Sequence, residues 1–169
     1  SNYSLATGQT VAANITPAAL TATISAPNKV YDGTATAAPV FTITGGLVGT
    51  ETVTATGTAT FNSKDVLTAN LVTANSNVLA NGLNGGLASN YSLVTGQTVA
   101  ANITPYAVSM TGVRAYDGTT NVAASIFTLG PMVGAETLTL SGTGSVPSAN
   151  AGTYPVTLGT LTLGDRKST

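Results

Sequence analysis

At 169 residues the chain has room for one or two domains, and its charged fraction of 7% is far below the roughly 25% of ordinary globular chains. A net charge of −1 with no basic run excludes electrostatic capture of nucleic acid or of an anionic membrane surface. Histidine and cysteine are both absent, which removes disulfides, a thiol nucleophile, the commonest general base and the two favoured zinc ligands.

Hydrophobic content is 43%, so this is not a charged disordered tail. Solubility must come from hydroxyls and amides, because roughly a fifth of the residues are Thr, a β-branched strand former. No apolar run approaches the ~20 residues of a membrane span, so membrane insertion is not expected. No signal peptide opens the chain, but the chain begins inside a repeat and that absence is silent on export.

Residues 1–17, SNYSLATGQTVAANITP, contain Tyr3 and Leu5, a turn around Thr7-Gly8-Gln9, and an expected short strand over Thr10–Ile15. Pro17 closes it, since proline donates no ladder hydrogen bond and pushes Thr16 into extended backbone. From Ala18 the run Leu20-Thr21-Ala22-Thr23-Ile24 alternates large with small or polar, the period-2 pattern of a half-buried strand. Pro27-Asn28 breaks it. Lys29-Val30-Tyr31-Asp32-Gly33-Thr34 then reads as a turn, with Asp bonding the local backbone and Gly supplying positive φ. Phe41–Thr44 is a further alternating run stopped by Gly45-Gly46, and Glu51–Phe61 a longer one with Gly57 as a bulge or bend. After a turn at Asn62-Ser63-Lys64-Asp65, short extended pieces are expected over Leu67–Val72 and Asn77–Leu79. A Gly/Asn-rich loop over Asn81–Gly86 follows. Nothing sustains a 3.6-residue apolar period, so helix content should be close to nil.

Ser89–Pro105 then repeats Ser1–Pro17 with one difference, Ala6 against Val94, which fixes a period of 88 residues from Pro17 to Pro105. The second unit retraces the first: Ala107–Met110 matches the strand after Pro17, Tyr116-Asp117-Gly118 matches Tyr31-Asp32-Gly33, and Phe127 matches Phe41. Val133–Thr137 matches Val48–Thr52, and Gly142 matches Gly57. The expected organisation is a closing strand of a preceding repeat at 1–17, a complete β-sandwich repeat at 18–105, and a second repeat lacking its closing strand at 106–169. Short strands at 8–12-residue spacing with Gly turns predict an all-β fold of tandem immunoglobulin-like β-sandwich repeats. A β-solenoid is the alternative, although the period is far longer than one solenoid coil.

Lys29-Val30-Tyr31-Asp32-Gly33-Thr34, Ser89-Asn90-Tyr91-Ser92-Leu93 and Ala101-Asn102-Ile103-Thr104-Pro105 together resemble the repeat of bacterial YDG and MBG (mostly bacterial Ig-like) domains. Those occur in tandem in very large exported proteins, including filamentous-haemagglutinin-like exoproteins and biofilm adhesins. The resemblance implies an extracellular β-sandwich repeat at the bacterial cell surface, acting as stalk or spacer, with no catalytic residue to carry over. Asn62–Val66 departs from the family, which usually has a Gly-rich turn there.

Charges are informative because they are few. Lys29, Asp32 and Glu51 recur as Arg114, Asp117 and Glu136, six of the eleven charged residues. Read functionally, the carboxylates are an acid/base or metal pair; read structurally, they belong to an Asp turn beside a basic–acidic pair that pins two strands. The structural reading prevails, because no third catalytic group recurs with them. An isopeptide crosslink at Lys29 is ruled out as a shared feature by Arg114, whose guanidinium cannot form it. Asp65 and Asp165 stand alone, so no calcium site is expected within a unit, and no cofactor is expected. Tyr3/Tyr91 and Tyr31/Tyr116 read as core plugs or corner residues, whereas Tyr106 and Tyr154 lack a tyrosine counterpart and are candidates for exposure. Asn2, Asn14, Asn90 and Asn102 head Asn-x-Ser/Thr triplets and are candidate glycosylation positions.

Two functions follow. The chain is a structural stalk, its partners neighbouring repeats or copies of itself joined head to tail. Alternatively it is an adhesive module that grips polysaccharide or a host receptor, with Tyr106, Tyr154 and Asp165-Arg166-Lys167 as the candidate contacts. An enzyme is a distant third. The permuted ends add a crossing expectation: residues 1–17 of one molecule complete the unit of another by strand donation.

Overall fold

Alternation of Thr with small or branched apolar residues does produce strands. The computed structural model describes residues 1–165, and it is all-β, about 40% strand, sandwich-type, with several sheets and none closed into a barrel. The described residues divide into two compact units, 1–29 with 35–102, and 30–34 with those from Ile103 onward.

In the first unit the strands are β1 (Ala18–Ser25), β3 (Thr36–Ala37), β4 (Val40–Gly45), β5 (Val53–Phe61), β6 (Leu71–Asn81), β7 (Tyr91–Leu93) and β8 (Thr98–Ala100). They form two sheets, a four-stranded one in the order β3-β5-β6-β8 and a three-stranded one in the order β4-β1-β7. All pairings are antiparallel except β1 with β7, where Ala18, Ala19 and Leu20 run parallel to Tyr91, Ser92 and Leu93. Antiparallel meandering of this kind is the pattern of a sandwich, not of stacked solenoid coils. Along β1, Leu20 and Ile24 point inward and Thr21 and Thr23 outward. Along β5, Val53, Ala59 and Phe61 are buried between outward threonines. Leu20, Val53 and Tyr91 form one core cluster, with Ala18, Ile43, Leu47, Leu79 and Leu93 packed on it.

The long hairpin of β5 and β6 differs from expectation in two ways. Leu67–Val72 and Asn77–Leu79 are not separate pieces: β6 is one strand of 11 residues, and Leu67 sits in the preceding turn, 98% exposed. The bulge is also not at Gly57. The register runs Thr58 to Ser76 and then Ala59 to Ala74, so the extra residue is Asn75, on the facing strand. One inserted residue exchanges the faces of a strand. Val72 and Ala74 point inward before it, and Leu79 points inward after it. The Asn75 amide bonds Thr60 Oγ1 at 3.1 Å across the bulge. Gly57 has a different role: a Cβ there would stand 2.0 Å from the Ser76 carbonyl oxygen, so only glycine permits this approach.

A short ladder joins β2 (Lys29–Val30) to β9 (Ile103–Thr104). In the second unit β10 (Met110–Gly112) pairs with β12 (Phe127–Leu129), β11 (Asn121–Ala123) with β14 (Thr143–Ser145), and β13 (Leu138–Ser141) with β15 (Thr162–Asp165). These pairings copy those of the first unit. Asn121 faces Ser145 as Thr36 faces Thr60, and an isolated bridge from Ser145 to Thr157 stands where Thr60 meets Thr73. The expected strand over Ala107–Met110 is shorter: only Met110 onward is strand. Its missing portion, 107–109, corresponds to residues 19–21 of β1, of which Ala19 and Leu20 pair with β7 in the first unit.

Residues 1–17 form no strand, only a turn at Thr7-Gly8, and every one of them is exposed. The strand expected over Thr10–Ile15 is absent because an extended segment needs a ladder partner, which these residues do not have. The same sequence at 89–105 supplies β7, β8 and β9.

Candidate functional site

Three constructions recur around the repeated residues. The first is the Tyr-Asp-Gly turn. Asp32 Oδ1 accepts the Thr34 backbone N–H and the Thr34 hydroxyl, both at 2.9 Å, while Gly33 adopts φ +79°. Asp117 Oδ1 accepts the Thr119 N–H and hydroxyl at the same 2.9 Å, and Gly118 adopts φ +74°. An Asp side chain replacing a backbone acceptor, followed by a residue in the left-handed region, closes the turn locally. The basic residue three positions before each Asp donates to a backbone carbonyl further along the chain. Lys29 Nζ donates to the Thr36 carbonyl at 2.9 Å and lies 5.9 Å from the Phe61 ring centre, whereas Arg114 donates to the Thr119 carbonyl and pairs with Asp117. The hydrogen bond from Arg114, then those from the Thr119 N–H and hydroxyl, hold the Asp117 carboxyl at a pKa of about 2. In both copies the aspartate thus closes the turn.

The second construction is a tyrosine hydroxyl on a glutamate. Tyr91, 5% exposed, donates to Glu51 Oε2 at 2.6 Å and accepts the Val48 N–H at 3.1 Å. The bond to Glu51 is the largest of the effects that push the Tyr91 phenol above its ordinary pKa. In the second unit Glu136, counterpart of Glu51, accepts the hydroxyl of Tyr31. Tyr31 is in that unit because residues 30–34 belong to it: the Tyr31 N–H bonds the Thr104 carbonyl at 2.8 Å, and a Cβ on Gly33 would lie 3.2 Å from Val133 Cγ1. So Tyr31 and Tyr91 are anchored, as expected of corner and core residues. Tyr3 and Tyr116 are not, at 91% and 71% exposed. Sequence reading did not find the Tyr–Glu pairs, since their members lie 40 and 105 residues apart.

The third is an open track in the second unit, a cavity of about 330 Å³ lined by Arg114, Ala115, Val122, Phe127, Val146, Tyr154 and Val156 among others. In the first unit the counterparts of several of these residues hold β8 and the residues that follow it. Lys29, matching Arg114, donates its backbone N–H to the Asn102 carbonyl at 3.1 Å, and Val72, matching Val156, faces Val99.

Of the remaining candidates, Asn2, Asn14, Asn90 and Asn102 are all exposed. Tyr106 is 41% exposed and Tyr154 half-buried in the track. Arg166 and Lys167 lie outside the described residues, as does the side chain of Asp165. No group of three or more acidic side chains gathers among the described residues.

A twice-repeated all-β unit, closed by an Asp-Gly turn and a Tyr–Glu anchor, defines a tandem β-sandwich repeat protein. The YDG domain model matches residues 16–101 and again 98–169, and the chain belongs to the YDG domain family. No curated protein and no solved structure matches it.

Proposed function

We propose that the chain is a structural segment of an exported bacterial surface protein, an extracellular stalk or spacer of the YDG/MBG kind found in adhesins and biofilm exoproteins. One observation carries this reading: the two family matches follow each other directly, sharing residues 98–101, so no linker separates one domain from the next. A protein built that way gains length by adding copies, which is what a spacer requires. The 7% charge content supports the same role, because contacts made by apolar packing and hydroxyl bonds change little with ionic strength. The family is not one known for enzymatic activity, and the recurring charges are engaged in turns and anchors; we read the protein as a non-enzyme.

A second reading, direct gripping of polysaccharide or a host receptor, is favoured by Tyr106, which is exposed and unique to the second copy. Binding of the 169-residue chain to a glycan array and to host-cell surfaces separates the two. The spacer reading expects no saturable binding. Saturable binding that Tyr106→Ala abolishes would replace it with the adhesive one.

A further inference from the structure

The sequence contains two Asn-Gly steps, Asn81-Gly82 and Asn84-Gly85, and two Asp-Gly steps, Asp32-Gly33 and Asp117-Gly118. In each, the glycine has no Cβ to shield its backbone nitrogen, which can attack the carbonyl carbon of the side chain before it. The fold treats the four differently. Asp117 Oδ1 is tied to the Thr119 N–H and hydroxyl, and Asp32 Oδ1 likewise to Thr34. Held at a pKa of about 2, Asp117 is ionised at neutral pH, and a carboxylate is a poor target for a nucleophile. Asn81 Oδ1 accepts the Ala88 N–H at 2.8 Å and the Gly82 N–H donates to the Gly86 carbonyl at 3.0 Å, so both reacting groups are held. Gly82 is also packed on Thr52, where a Cβ would lie 2.1 Å from the carbonyl oxygen. Asn84-Gly85 stands in the same loop with both residues exposed. Among the described residues the Gly85 N–H makes no hydrogen bond, and nothing lies within 4 Å of where its Cβ would be. Asn84 is there the one non-glycine residue at positive φ, +56°, and its side chain has a single tie, Nδ2 to the Thr50 carbonyl at 2.9 Å.

We infer that Asn84 is a site of spontaneous deamidation, converting to aspartate and isoaspartate while the other three steps persist. The Gly85 nitrogen attacks Asn84 Cγ; a C–N bond forms, the Cγ–Nδ2 bond breaks, and Nδ2 leaves as ammonia, carrying the Gly85 amide proton. The cyclic imide then takes up one water. Opening at one carbonyl yields aspartate, and opening at the other yields isoaspartate, whose main chain runs through Cγ. One water is consumed and one ammonia released, with no oxidant or enzyme required. Two consequences follow from the surroundings. The new carboxylate is acceptor-only, so it cannot donate to the Thr50 carbonyl and faces it as a second acceptor. Thr50 is followed by Glu51, which anchors Tyr91, and by Thr52, which holds Leu83 through an N–H at 3.1 Å and a hydroxyl at 2.7 Å. Loss of the Asn84 bond therefore loosens a loop pair next to the anchor. The second consequence is charge: against a net −1, one more carboxylate doubles the net charge. An uncatalysed reaction that charges a nearly uncharged protein marks each molecule by its age. This holds whether the protein is a spacer or an adhesive module.

A time course on the 169-residue chain in mildly alkaline buffer, folded and in urea, tests this. After denaturation, trypsin cuts following Lys64 and Arg114 and releases peptide 65–114, in which fragmentation mass spectrometry separates position 81 from position 84. Deamidation adds the mass by which an oxygen exceeds an NH group. In the folded chain position 84 is expected to gain it about tenfold or more faster than position 81, because Asn81 reacts only when the Gly82–Gly86 pairing opens. In urea the two are expected to react at equal rates, since both precede glycine. Isoaspartyl methyltransferase with a labelled methyl donor should methylate the aged chain, and Asn84→Gln should remove that signal. Equal rates at the two positions in the folded chain overturn the inference. So does a folded chain that stays unmodified at 84 while the urea sample reacts, or a methylation signal that persists in Asn84→Gln. Amide exchange at Thr52 is expected to quicken in the aged sample, and unchanged exchange refutes the loosening. The stalk reading stands or falls separately, by ligand binding.

Discussion

Ile15 and Ile103 offer an internally controlled measurement of what strand docking contributes. Both sit in the identical sequence GQTVAANITP, so local propensity and the unfolded chain around them are the same. They differ only in the fold: Ile103 is among the largest fully buried side chains, and Ile15 is fully exposed. Ile→Ala deletes three carbon groups. At about 0.8 kcal/mol each this is ~2.5 kcal/mol of lost transfer energy, and the unfilled cavity raises the cost at Ile103 to about 3–4 kcal/mol. At Ile15 the same change should stay within about 0.5 kcal/mol. Two compact units need not unfold in one step, so urea unfolding should be followed at resolved amide signals of Val72 and Val122, one in each unit. With a slope of about 1.5 kcal/mol/M, Ile103→Ala should lower at least one midpoint by roughly 2 M. Ile15→Ala should move neither, at dilutions where the chain is a single copy. Equal shifts for the two substitutions would falsify the assignment of 1–17 as undocked and 89–105 as docked.

Three further outcomes are expected. The Tyr91 phenol titrates above its ordinary value because Glu51 holds its proton, so the stability this contributes is complete below pH ~10 and is lost as pH rises through the folded value; ultraviolet titration should show Glu51→Gln bringing the late tyrosinate step earlier, and an unchanged step would sink the anchor. The Asp117 carboxyl, held at about 2, contributes stability that is present above the ordinary carboxyl range of ~4 and lost as pH falls towards 2; carboxyl-carbon NMR should show its midpoint rising in Arg114→Gln, and no rise would mean that Arg114 is not the cause. Gly57→Ala should destabilise the first unit by about 1–3 kcal/mol through its clash with the Ser76 carbonyl, a loss readable as a lower thermal midpoint; a neutral result would show that the two strands can part at no cost.

How much of this was legible in the sequence varies with the range of the interaction. The Asp32 and Asp117 turns were, because an Asx bond to a residue two positions on and a glycine at positive φ are both local. β1 and β5 were too, because uninterrupted alternation exposes its own period. β6 was not: Asn75 shifts the alternation by one residue, so neither half carries a long enough run. The two-residue strands β2, β3 and β9 exist only through partners distant in sequence. The copies at 1–17 and 89–105 make the point most directly, since near-identical residues form strands in one place and none in the other. The Tyr31–Glu136 pair was likewise beyond any motif reading. Its acceptor belongs to the next period of the sequence.

That last pairing sets a rule for how such a chain can change length. The Tyr-Asp-Gly turn of residues 30–34 is read as part of one sequence period and folds with the next, so the genetic unit and the folded unit are out of phase. Loss or gain of a whole 88-residue period leaves each surviving tyrosine facing an equivalent glutamate, and the junction is indistinguishable from the original. A cut that removes one member of the pair and leaves the other strands a hydroxyl or a carboxylate. Copy number is therefore free to drift, while the reading frame of the repeat is held by hydrogen bonding.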